Sequence, residues 1–89
     1  MTELVTVRIE YTGHLSAVAD RKHEFIDIKN EMSSVAHQVA EYLKNAYSMD
    51  GPVMLMVKGK NLISYTKEHE GESIEEGTCY TVIPVVSGG

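Results

Sequence analysis

An α+β fold, with a mixed four- to five-stranded sheet and one main helix packed on one face, is predicted by three observations. Residues alternate apolar and polar from Val5 to Tyr11 and again from His23 to Ile28, the period of strands with one buried face. A helical spacing of apolar residues then runs from Val35 to Ala46. Short apolar segments at Val53–Val57 and Thr78–Val85 return to strand length.

In the first strand Val5, Val7, Ile9 and Tyr11 form the buried set, with Thr6, Arg8 and Glu10 between them. Thr12 to Arg21 holds Gly13, His14, Ser16 and Asp20 without a sustained period and reads as a loop. The second strand, antiparallel to the first, is expected to bury Ile26 and Ile28 and to leave Glu24 and Asp27 outside. Ser33 or Ser34 offers a capping hydroxyl, and Val35, Val39, Tyr42, Leu43 and Ala46 line one helical face. Asp50-Gly51-Pro52 is expected to stop the helix near Tyr47, because proline cannot continue its hydrogen bonds.

Val53–Val57 is too short and too apolar for a surface helix and reads as a central strand. Lys58-Gly59-Lys60-Asn61 is a turn, with Leu62-Ile63 opening a short edge strand. Thr66 to Gly77 is an acidic, solvated stretch around one core candidate, Ile74. In the last strand Tyr80 and Val82 face the helix, while Cys79, Thr81 and Ile83 face away. Pro84, which has no N–H for a ladder, is expected to release the chain. With the first and last strands parallel in the centre, this order is the β-grasp: a domain at 1–84 and a flexible tail at 85–89.

Composition narrows the function. The 89 residues make one domain, and a single cysteine, Cys79, excludes an internal disulfide and a cysteine-based zinc site. The charge of −5 disfavours nucleic acid and favours a partner with a basic docking surface. The absence of a membrane-length apolar run and of a basic-apolar leader gives the expectation of a cytoplasmic protein. His14, His23, His37 and His69 have no metal-ligand spacing, so no metal site is expected. Cys79 lacks a base at recognisable spacing, and Met54 and Met56 read as core fillers. No catalytic constellation emerges.

The ending is the most specific feature. Glycine loses the most backbone freedom on ordering, so Gly88-Gly89 is a poor way to finish a packed element. It suits a narrow channel that excludes side chains. Ser34-Val35-Ala36, Met56-Val57-Lys58-Gly59-Lys60, and Gly77 followed by Ile83-Pro84-Val85-Val86-Ser87-Gly88-Gly89 together resemble the MoaD/ThiS sulfur carriers. These are ubiquitin-like β-grasp proteins, and the chain is most similar to the molybdopterin synthase small subunit among them. Ile83 stands where that family often has an aromatic residue, and Val85 replaces its second proline.

The resemblance implies a carrier rather than an enzyme. Gly89 would be adenylated by a ubiquitin-activating-type adenylyltransferase using ATP and magnesium, then converted by a sulfur donor to a thiocarboxylate. The sulfur would pass to a pterin precursor on a molybdopterin synthase large subunit. Ser87 and Gly88 would thread the partner's active site, and Val85 to Gly89 would reach roughly 16 to 18 Å when extended. Ordering that tail costs about 1 to 2 kcal/mol per residue, so a docking face must supply affinity. Arg8, Thr81, Ile83, Pro84, Val85 and Val86 are its candidates, against simple core packing for Ile83 and Val85. Sulfur delivery to thiamine or another thio-compound, a ubiquitin-like protein modifier and a noncovalent β-grasp module stay open beside this reading.

Overall fold

The chain was analysed as a computed structural model that describes residues 3–49 and 51–85. Five strands, β1 (Leu4–Tyr11), β2 (His23–Lys29), β3 (Val53–Val57), β4 (Lys60–Asn61) and β5 (Cys79–Pro84), form one sheet in the order β2-β1-β5-β3-β4. β5 lies parallel to β1, and the other pairings are antiparallel. Helix α2 (Val35–Tyr47) covers one face, as expected for a ubiquitin-like β-grasp. Among the described residues no helix is long and apolar enough to cross a membrane.

The core follows the alternation. Val7, Ile9, Val35, Val39, Val82, Tyr80 and Leu43 are essentially sealed from solvent, and each large apolar side chain so buried contributes about 1.5 to 3 kcal/mol. Ile26, Ile28 and Ile74 join them, as anticipated. Burial pushes the Tyr80 phenol up to about 12, helped by the nearby Tyr65.

Several expectations are corrected. Thr12 to Arg21 is not all loop: α1 (Leu15–Ala19) buries Leu15 and Ala19 and ends on Asp20 in the left-handed conformation. Five residues are too few to show a period. Leu62-Ile63 does not open a strand but starts helix α3 (Leu62–Glu68). Asn61 causes the switch, because its side-chain oxygen accepts the Ile63 N–H at 2.8 Å and caps the helix. β4 is only the two residues before it.

Glu24 faces inward, sharing the parity of Ile26 and Ile28. Ala46 is exposed, at the margin of the apolar stripe of α2. The Ser34 hydroxyl donates to the Glu31 carbonyl instead of capping α2, and a 3-10 turn at Met32–Ser34 leads in. The helix stops on Ser48, at φ 57°, before Gly51 and Pro52 are reached. Its N–H bonds back to the Lys44 carbonyl at 2.9 Å.

Pro84 does not end the pairing. It stands opposite Val53 in the register, and the next N–H, that of Val85, donates to the Pro52 carbonyl at 3.2 Å. The reason is orientation. Along β5 the backbone groups of Val82 point to the β1 side, where Thr12 N–H meets the Val82 carbonyl, and those of Val85 point to β3. The missing N–H of Pro84 therefore falls on the β1 side, past Tyr11, the last paired residue of β1.

Candidate functional site: the strand exit and the open sheet face

β5 is the central strand, and its C-terminal end is held from both sides. Thr12 donates its N–H and its hydroxyl, the latter at 2.9 Å, to the Val82 carbonyl. Pro52 holds Val85 from the other side. Gly13, at φ +57°, lies so close that a Cβ there would meet Pro84 Cγ at 3.4 Å. A side chain would be strained in that backbone conformation and would press on the proline. Val85 is exposed, and Val86, Ser87, Gly88 and Gly89 lie outside the described residues.

The sheet face opposite α2 divides in two. Register sets Ile83 beside Met54, and Thr81 beside Met56 on one flank and Glu10 on the other. Met54 is exposed, and Met56, Thr81 and Ile83 are half-buried. This half is apolar and adjoins the exit. Met54 and Met56 therefore face outward, and the reading of them as core fillers is corrected.

The second half is polar. Arg8 stands between Phe25 and Cys79, one row away from Thr81. Its Nη2 lies 3.7 Å from Glu10 Oε2 across an exposed pair, which is worth under about 1 kcal/mol. Of the residues expected at a docking face, the structure thus brings Thr81 and Ile83 together and sets Arg8 apart. Pro84 is half-buried and Val85 lines clefts beside Val53. Phe25, exposed at 62%, joins the face from β2. Its parity opposite to Ile26 was the signal for it.

Cys79 is half-buried in the polar half, and burial, then the Glu10 carboxylate, pushes its thiol up. A thiol shifted that way is a weaker nucleophile at neutral pH. His37 lies near Glu41, and His69 pairs with Glu72 at 2.9 Å. Among the described residues no group of three or more His, Cys, Asp or Glu is placed to hold a metal ion.

Behind the exit end sits a polar cluster not anticipated from sequence. Tyr11, Tyr42 and Tyr47 all donate their hydroxyls to the Glu24 carboxylate, the first two at 2.6 and 2.5 Å. Burial raises the carboxyl of Glu24, but the three hydroxyls, with Arg21 beside it, outweigh burial and hold it below the usual value. Burial, then the bond to Glu24, raises all three phenols. The cluster locks the C-terminal end of α2 to β1 and β2.

No protein-family model and no curated protein sequence matches the chain. The fold is nevertheless shared with solved structures. A Pyrococcus furiosus protein assigned as molybdopterin converting factor subunit 1 is similar, with TM-score 0.60 and 17% identity over 91% of this chain and 99% of that one. SAMP1 from Haloferax volcanii matches at TM-score 0.59 and 18% identity, covering 94% and 99%. Small archaeal modifier protein 1 from Methanosarcina acetivorans matches at TM-score 0.60 and 15% identity, covering 98% and 99%. At these identities the likeness establishes the ubiquitin-like β-grasp fold.

Proposed function

We propose that the chain is a ubiquitin-like sulfur carrier whose reactive group is the carboxylate of Gly89. The observation that carries this reading is the exit of the central strand. β5 is gripped by Thr12 and Pro52 as far as Val85, which the sequence follows with Val86-Ser87-Gly88-Gly89.

A carboxylate is a poor acyl donor, because its charge repels nucleophiles and oxide is a poor leaving group. An activating partner would let a Gly89 oxygen attack the α-phosphorus of ATP, releasing pyrophosphate and leaving an acyl adenylate. Magnesium held by that partner would neutralise the phosphates. A sulfur nucleophile would then attack the carbonyl carbon and expel AMP, leaving a thiocarboxylate. Gly88 would admit the tail to the partner's channel, and the apolar half of the open face, Thr81, Ile83, Met54 and Met56, would dock the body. Molybdopterin biosynthesis is the acceptor pathway that the similarity to molybdopterin converting factor subunit 1 favours.

Incubation with an adenylyltransferase of this type, ATP, magnesium and sulfide should add the mass of one oxygen-to-sulfur exchange at Gly89. An unmodified terminus with several such activators would sink the reading. Removing Gly88 and Gly89 should abolish transfer and leave thermal stability unchanged.

Similarity to the small archaeal modifier proteins favours a second reading, that Gly89 joins lysines of target proteins. Isopeptide-linked conjugates in the source cell, absent when Gly89 is deleted, would select it over sulfur delivery alone.

A further inference from the structure

β3 has a strand neighbour on both sides only at Met56 and Val57, because β4 ends at Asn61. Val53, Met54 and Leu55 are paired with β5 alone. Antiparallel strands alternate the direction of their backbone groups. The bond from Val85 N–H to the Pro52 carbonyl fixes which residues face β5: Pro52, Met54 and Met56 do. The N–H and C=O of Val53 and the N–H of Leu55 consequently point to the side where, among the described residues, no strand lies beyond β4.

Alongside this edge runs a cleft of about 360 Å³. Its walls are Ala36 and Ala40 of α2, Leu62 and Ile63 of α3, and Val53 and Leu55. Ile63 is exposed at 59% and Met54 at 40%. No Lys or Pro stands within Val53–Leu55 to blunt the edge, although proteins commonly protect such edges that way.

The geometry points to a strand-addition site: an extended segment of a partner protein, with alternating apolar residues, pairs with β3 at Val53 and Leu55 and seats an apolar side chain between α2 and α3. The unpaired backbone groups specify a strand, since only extended backbone presents donors and acceptors at matching intervals. The cleft specifies its apolar side chain. A second copy fits less well. It brings the same charge of −5, and a three-residue edge of about 10 Å falls short of a stable dimer interface, which buries about 800 Å² per partner. The site is independent of any chemistry at Gly89.

The test uses the full chain and a synthetic peptide, acetyl-Lys-Val-Thr-Val-Thr-Lys-amide. Amide exchange followed by NMR should slow about tenfold or more at Val53 and Leu55 when the peptide saturates. The same peptide with N-methyl groups on its β3-facing amides should not bind. Ala40→Glu, at an exposed helix position, should place a carboxylate in the cleft and weaken binding about tenfold, with the circular dichroism of the free protein unchanged. Several results would overturn the assignment. They are equal affinity for the N-methylated peptide, protection on β2 instead of β3, no binding at millimolar peptide, or protection that grows with protein concentration alone, which would place a second copy on the edge.

Discussion

The two edges of this sheet are finished differently. At the β2 edge the Lys29 N–H donates to the Gln38 side-chain oxygen at 2.7 Å, and the Gln38 amide nitrogen donates back to the Lys29 carbonyl at 3.0 Å. A side chain of α2 thus imitates the next strand at Lys29, and on the same parity of β2 stand Asp27, the exposed Phe25 and His23. At the other edge β4 covers two residues of β3 and leaves an apolar shoulder beside a cleft. The β2 edge is thus closed by a side chain at Lys29, whereas the open stretch of β3 is set apart by the apolar cleft that runs beside it.

That contrast is most severely tested at Glu24, which anchors α2 on the β2 side. Glu24→Ala would leave three phenols without their acceptor. Unfolding in urea should show a loss of about 3 kcal/mol or more, since each bond to a charged group contributes about 1.5 to 3 kcal/mol. A loss under about 1 kcal/mol would mean that the cluster is incidental.

The same carboxylate predicts a pH response. Its folded value lies below the ordinary value near 4.5, so its contribution is fully present above that value. Stability is lost as pH falls through the depressed folded value. Glu24→Gln should flatten that part of the acid-unfolding profile. An unchanged profile would assign the acid response to other carboxylates.

Smaller effects are expected at the edges themselves. Gln38→Ala should cost about 1 kcal/mol and speed amide exchange at Lys29, without touching Val53. Ile63→Lys, on the opposite edge, should move stability by less than about 0.5 kcal/mol while weakening the strand-addition peptide. Equal stability losses for these two variants would erase the distinction between the edges.

The alternation of Val5 to Tyr11 was legible because one face is buried and the other wet, and the same holds for Tyr80 and Val82. Glu24 was misread because a carboxylate on a strand is ordinarily solvated, and only tertiary structure brings Tyr11, Tyr42 and Tyr47 to it. Asn30 illustrates the same limit, since its side chain binds the N–H and C=O of Ile74, 44 positions away. Helices α1 and α3 were hidden because five and seven residues carry little period. Of the candidate site, Thr81 and Ile83 followed from parity. The open stretch of β3 did not, because it depends on where Asn61 ends β4 and turns the chain into α3.

The central position of β5 has a mechanical corollary. A pull on Val85 along the strand axis is shared by the parallel ladder to β1 and the antiparallel ladder to β3. Hydrogen bonds on both flanks are sheared together instead of being peeled in turn. Single-molecule stretching through Val85 should therefore meet a higher rupture force than stretching through β2, with the sheet yielding in one step.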